Sequence, residues 1–247
     1  MNKTLVVCSG GLDSVTLAHH IAHQSTQQQA QKQAQELMGL LTFNYGQRHR
    51  KEIDCAIACA QRLNVPHHLI DISTLGQSLQ SALTSHDEAI PEGHYAADNM
   101  ASTVVPNRNA IMLTIAFGFA DSIGATQVAI AVHGGDHFIY PDCRPEFIEA
   151  FATMQQYALG KTPAITLFAP YLTINKGDIA AIAGELSVPI HETWSCYNGG
   201  DIHCGRCGTC VERLEAVHHA GITDQTTYAD TTFWHQATQK NQPLADQ

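Results

Sequence analysis

Short apolar runs alternate with helix-length segments along most of this 247-residue chain, and that alternation admits few architectures. Strand-like runs fall at 4–7, 38–43, 67–72, 127–132 and 164–168, and helical patterns at 13–23, 48–64, 108–123, 145–159 and 175–187. Strands separated by helices need crossover connections, so the strands should be parallel with helices on both faces. The run VAIAV at 128–132 lacks polar alternation, as expected of a strand covered on both sides. The expected fold class is α/β, a doubly wound, mostly parallel sheet whose ligands gather beyond the carboxyl ends of the strands.

At residues 8–14 the string CSGGLDS joins the first strand to the first helix. Gly10 and Gly11 let a ligand approach the backbone, and the opening turn of the helix directs its unpaired N–H groups at the same point. Ser9 and Ser14 add hydroxyl donors, and Cys8 and Leu12 complete the loop. This is the pattern of a phosphate site, although a plain strand-to-helix turn is the alternative. Asp13 can cap the helix or hold a Mg2+ ion bridging phosphate oxygens. No lysine follows the glycines, so this is not a Walker A loop. The GKT at 160–162 follows a helix rather than a strand, and Gly160 reads as a helix stop.

Eight cysteines are present, four of them in CYNGGDIHCGRCGTC: Cys196, Cys204, Cys207 and Cys210. Two overlapping CxxC steps and one distant cysteine suit four thiolates around a structural Zn2+. Disulfides and an iron–sulfur cluster are the alternatives. His191 and His203 are spare ligands in a chain with 15 histidines. Cys55 and Cys59 read as small core residues. Cys143 stands beside Arg144, which could stabilise a nucleophilic thiolate.

The net charge of −10, from 13 basic and 23 acidic residues without a basic stripe, argues against a nucleic-acid partner. The run at 5–8 is too short for the core of a secretory leader, and 110–120 is too short for a membrane span. A cytoplasmic protein without a membrane partner is expected. The long loop 85–106 is of the kind that serves as a lid or is disordered, and the Gln/Ala tract near 24–35 carries no chemistry.

SGGLDS resembles the pyrophosphate (PP) loop of the N-type ATP pyrophosphatases. Together with YGQRH at 45–49, VPNRN at 105–109, YPDCRPEF at 140–147 and the CGRCGTC tail, it resembles the 7-cyano-7-deazaguanine synthase family of the queuosine pathway, from 5 to about 214. The resemblance implies an adenine nucleotide alpha hydrolase-like sheet. Residues 1–190 would form the PP-loop domain, 191–221 a zinc-binding segment packed on it, and 222–247 a C-terminal tail. It implies an ATP-dependent carbon–nitrogen ligase, with Mg2+ accompanying ATP, that joins 7-carboxy-7-deazaguanine to ammonia and then dehydrates the amide to a nitrile. A homodimer is also implied.

On that reading Ser9, Gly10, Gly11 and Ser14, with Lys176, stabilise the departing pyrophosphate. Arg108 and Asn109 hold ATP or the substrate. Asp142 and Arg144, with Tyr140, take the deazaguanine, and Asp136 is a further Mg2+ ligand. Tyr45 and Arg48 are weaker candidates. A tRNA-modifying enzyme of the same loop type, such as a thiolase, is the nearest rival, and a non-catalytic nucleotide-binding regulator is a rival of another class.

Overall fold

A computed structural model describes residues 1–27, 35–85 and 87–239. Five parallel strands, β1 (Asn2–Val7), β2 (Gln35–Asn44), β3 (His67–Asp71), β4 (Gln127–Ala129) and β5 (Thr166–Phe168), lie in the order β3-β2-β1-β4-β5. The chain runs outward from β1 to β3 and then returns to the other side of β1. Such a reversal opens a crevice at the carboxyl ends of the two strands that flank it, here β1 and β4.

Neighbouring residues on each central strand enter different cores. Val6, Leu40 and Ala129 pack with α1 (Leu12–Gln27), α2 (Lys51–Leu63) and α6 (Lys176–Glu185) through Leu17, Ile21, Ala56, Cys59 and Ile179. Leu5, Leu41 and Val128 pack on the other face with α4 (Arg108–Ile123) and α5 (Pro145–Leu159) through Leu113, Phe117 and Phe151. Each such valine, leucine, isoleucine or phenylalanine contributes on the order of 1.5–3 kcal/mol, which is why a period of two with both phases apolar specifies a central strand.

The strand expected at 127–132 is shorter. Its ladder closes at Ala129, and although Ile130 N–H still reaches the Phe168 carbonyl at 3.0 Å, residues 130–132 turn to wall the crevice. The first helix continues to Gln27 into the Gln/Ala tract, of which residues 28–34 lie outside the described residues. Gly160 terminates α5 at φ 59°, as its place after the helix predicts.

The segment after residue 190 is built over the sheet's carboxyl end. Trp194 N–H donates to the Gly10 carbonyl at 3.0 Å, seating this segment on the first loop. The long loop is stapled beneath it: Gly93 N–H donates to Arg206 O, Arg206 pairs with Glu92, and a short 3-10 turn at Asp98–Thr103 places Met100 against Gly208. A short helix α3 (Ser73–Gln77) precedes that loop. Beyond it, α7 (Gly208–His219) packs on α8 (Phe233–Gln239), where Trp234 and Ala237 cover Val211. No helix among the described residues is long and apolar enough to cross a membrane.

Candidate active site

The crevice is a cleft of about 220 Å³ walled by the first loop, the starts of α2 and α4, the turn after β4 and the segment around Trp194. Cys8, Ser9, Gly11, Leu12, Asp13 and Ser14 all line it, while Gly10 packs against the backbone of Glu52. Ser14 organises the loop. Its hydroxyl accepts from Ser9 N–H, meets Ser9 Oγ at 3.2 Å and donates to the Gly11 carbonyl. Gly10 adopts φ 90°, which favours glycine, and the loop is thereby folded around a point in front of α1.

A charged wall stands beside it. Lys176, from the first turn of α6, places Nζ 3.0 Å from both Asp13 Oδ2 and Glu212 Oε2. Burial alone would raise the Asp13 pKa, but Lys176 and then His133 hold it below the ordinary carboxylate range. Burial likewise opposes the charge on Lys176, yet Asp13 and Glu212 outweigh it and the ammonium stays charged. His133 is buried, and its Nε2 lies 3.8 Å from Asp13 and 3.7 Å from Asp136. Asp136 also accepts from the Tyr95 hydroxyl at 3.0 Å.

The opposite wall is aromatic. The Arg108 guanidinium carbon lies 5.9 Å from the Tyr45 ring centre and 5.7 Å from that of Tyr140, and Tyr197 bonds the Tyr140 hydroxyl at 3.3 Å. Asn109 lines the cleft too, but its amide is engaged by the Asp142 carbonyl and the Cys143 sulfur.

Asp142 and Arg144 are placed elsewhere. The 3-10 turn at Pro141–Cys143 directs the Asp142 carboxylate to the Asn109 N–H at 2.8 Å, so it caps α4 and does not line the cleft. Arg144 is exposed and donates to the His137 carbonyl. Cys143 reaches the cleft as a buried thiol whose pKa is pushed up by burial and by Asp136 and Asp142, which removes the basis for reading it as a thiolate nucleophile.

His49 and Glu52 are among the cleft residues that were not singled out from the sequence. Gln47 accepts from Tyr45 N–H and donates to Phe43 O and to Glu52 Oε1 at 2.7 Å, turning the chain so that His49 and Glu52 enter the cleft. Burial drives the Glu52 pKa up to about 8 and, with Arg108 and Arg48, drives that of His49 down to about 3. The only available signal was the polarity of a string just ahead of a helix, which ordinarily marks solvated residues.

The sulfurs of Cys196, Cys204, Cys207 and Cys210 lie within 4.8 Å of one another, a set that could hold a metal ion. Backbone N–H groups of Cys204, Arg206 and Cys207 point at Cys196 or Cys204 sulfur, as they do around thiolates. Cys207 sits at the N-cap of α7, whose dipole favours negative sulfur. His203 is turned to Ser195 N–H and is not part of this set.

The family model described as "Queuosine biosynthesis protein QueC" matches residues 3–221. The chain belongs to the QueC family. A 7-cyano-7-deazaguanine synthase from Agrobacterium fabrum (strain C58 / ATCC 33970) is 59% identical over 237 residues, 96% of each chain. Another from Brucella ovis (strain ATCC 25840 / 63/290 / NCTC 10512) is 58% identical over 238 residues, 96% of this chain and 98% of that one. The U34-tRNA thiolase NcsA from Methanococcus maripaludis superposes with a TM-score of 0.44 at 14% identity, over 76% of this chain and 59% of that one. The resemblance carried by the loop strings is thus borne out, and the QueC match spans every site loop described above. QueC-family chains at this identity are named as enzymes, so this chain is an enzyme of that type.

Proposed function

We propose that this chain is an ATP-dependent ligase that converts 7-carboxy-7-deazaguanine and ammonia to 7-cyano-7-deazaguanine through adenylated intermediates. The observation that carries the reading is the lysine-free loop at 8–14, folded at the topological switch point and flanked by Lys176. A carboxylate is a poor electrophile, and transfer of AMP to its oxygen supplies a leaving group. Backbone N–H groups at Gly10 and Gly11, the Ser9 and Ser14 hydroxyls and Lys176 would stabilise the charge that develops on pyrophosphate. Ammonia then displaces AMP to give the amide. Adenylation of the amide oxygen with a second ATP prepares loss of AMP to the nitrile.

Asp13 and Asp136 are the carboxylates that would hold Mg2+, which neutralises phosphate charge when bound. Arg108, held between Tyr45 and Tyr140, replaces Asp142 and Arg144 as the residue to receive the planar acid: it supplies a cation for the carboxylate, and the rings supply stacking surfaces. Asp142 acts by fixing Asn109. The four cysteines would hold one structural Zn2+, since all four positions are filled by protein and none is left open for water. Residues 1–190 serve as the nucleotide-binding body and 191–221 as a metal-binding segment closing the cleft. The acidic balance of the chain supports small-molecule substrates rather than RNA, and the family resemblance supports a homodimer.

Mass spectrometry of a reaction with ATP, ammonia and 7-carboxy-7-deazaguanine tests the reading. It requires AMP, pyrophosphate and the nitrile; ADP as the only nucleotide product, with inorganic phosphate, would overturn it.

A further inference from the structure

Among the described residues three carboxylates line the cleft, Asp13, Glu52 and Asp136, and their surroundings differ. Asp13 is paired with Lys176. Asp136 accepts from Tyr95 and meets its own turn's His133 N–H at 3.4 Å. Glu52 forms no ion pair with lysine or arginine: Gln47 donates to Oε1, and Oε2 faces His49 Nε2 at 3.3 Å. His49 is 4% exposed, is held neutral at physiological pH by burial and the nearby arginines, and its Nδ1 has no hydrogen-bond partner. The cleft therefore contains a carboxylate with no lysine or arginine bonded to it beside a neutral imidazole with a spare nitrogen. Tyr45, Arg108 and Cys8 also face Glu52 across the site, and Cys55 does so from its own helix.

The place matters as much as the chemistry. The Glu52 carbonyl packs on Gly10, so the carboxylate is fixed relative to the loop that would hold ATP. Resting on the ligase reading above, we infer that Glu52 is the catalytic base that strips protons from the incoming nitrogen, with His49 receiving ammonia beside it. In the first half, ammonia's lone pair forms a C–N bond to the acyl-adenylate, Glu52 takes a proton from that nitrogen, and the C–O bond breaks with AMP keeping the electron pair. The proton then passes to solvent. In the second half, the amide oxygen attacks a second ATP and expels pyrophosphate, the cationic nitrogen sheds one proton to solvent to leave a neutral O-adenylated imidate, and Glu52 removes the last N–H proton; the freed pair completes the C≡N bond, and a second AMP leaves with the C–O electrons. One base serves both halves because both remove protons from one atom.

Burial pushes Glu52 up to about 8, against the pull of the Gln47 bond and Arg108, which places it near the pH at which a base is most useful. The test uses Glu52→Gln in the full chain, which keeps the shape and the contact with Gln47, alongside Glu52→Asp. Three readouts are compared: acid-dependent exchange of pyrophosphate into ATP, trapping of the acyl-adenylate by hydroxylamine, whose nitrogen once it has attacked is acidic enough to lose its proton to water without a base, and nitrile formation from the amide across pH. The inference expects Glu52→Gln to keep exchange and trapping within about threefold and to lose nitrile formation by ~10²-fold or more. The parent's rise in nitrile formation through about pH 8 should vanish with it, and Glu52→Asp should fall between. Nitrile formation at the parental rate in Glu52→Gln would overturn the inference, as would exchange and trapping falling in step with it, which marks a purely structural role. Absence of acid-dependent exchange in the parent would instead overturn the ligase reading itself, and this inference with it.

Discussion

The Glu52 carbonyl oxygen occupies the space that a side chain on Gly10 would need: a Cβ built there would lie 1.9 Å from it. The first loop and the start of α2 are therefore seated backbone on backbone. Gly10→Ala must push α2 away and also force alanine into φ 90°. The expected cost is about 1–3 kcal/mol from the strained backbone, with the clash added to it. Acid-dependent pyrophosphate exchange should fall by ~10²-fold, because a displacement near 1 Å is enough to misplace the reacting groups. Urea unfolding and the exchange assay check this, and parental values in both would show that the close seating is dispensable.

Lys176 stands between two carboxylates, so Lys176→Met removes transition-state charge and leaves Asp13 and Glu212 uncompensated. Exchange should drop by ~10²–10³-fold, and stability at neutral pH by about 3–5 kcal/mol. The pH dependence has a definite sign. Asp13 is held below its ordinary pKa in the parent, so its contribution is present above the unfolded value of about 4 and is lost as pH falls through the folded one. Urea midpoints of parent and variant should converge on acidification; a constant gap would refute the coupling.

The sheet was legible because burial on both faces leaves a mark in sequence, as at Leu5, Val6, Leu40 and Leu41. The loop at 8–14 was legible because its residue types leave few alternatives. Other features were not. Helix α2, expected from residue 48, begins at Lys51 because Gln47 spends its amide holding a turn. Helix α7 starts inside CGRCGTC, where metal-ligand spacing hides helical periodicity. Asp142 and Arg144 lie in a site-like string, yet a 3-10 turn decides where their side chains go. His49 and Glu52 are polar in sequence and buried only because distant residues cover them, as the Tyr197 ring does 5.4 Å from His49.

Those placements separate two substitutions. Asp142→Ala removes the acceptor for Asn109 N–H and should cost about 1 kcal/mol of stability, as for a lost helix cap. Arg108→Met removes the cleft's guanidinium and should raise KM for the deazaguanine acid by ~10-fold or more, as loss of a charge-assisted hydrogen bond predicts. Steady-state kinetics with both variants decide the matter: a larger KM effect from Asp142→Ala would return Asp142 to the substrate site.

Arg213 is fully buried and ties the cysteine segment to the tail: it donates to Thr193, Ile190 O and Thr226 and pairs with Asp224 at 3.2 Å. Burial would raise the Asp224 pKa, but Arg213 and three hydrogen bonds hold it down at about 2. Its stabilisation is thus complete above about pH 4 and lost as pH falls toward 2. Asp224→Asn should lower neutral-pH stability by about 3–5 kcal/mol, because it strands a buried guanidinium. It should also flatten the acid limb of the urea midpoint against pH; an unchanged limb would assign that limb to other carboxylates.

Metal removal should reach the active site without touching it. Trp194, Ser195 and Tyr197 line the cleft and flank Cys196, while Trp194 N–H holds the Gly10 carbonyl. Without a cation nothing binds the four sulfurs to one another, so the segment would lose the geometry that keeps that wall in place. The purified chain should contain one zinc by elemental analysis and lack visible absorbance. Stripping it with a chelator, or substituting Cys207→Ser, should lower Tm and pyrophosphate exchange together, and zinc should restore both in the stripped parent. A broad visible absorbance with iron present would make the metal an iron–sulfur cluster, and a stripped chain with parental Tm and exchange would show that the cysteines do not support the cleft.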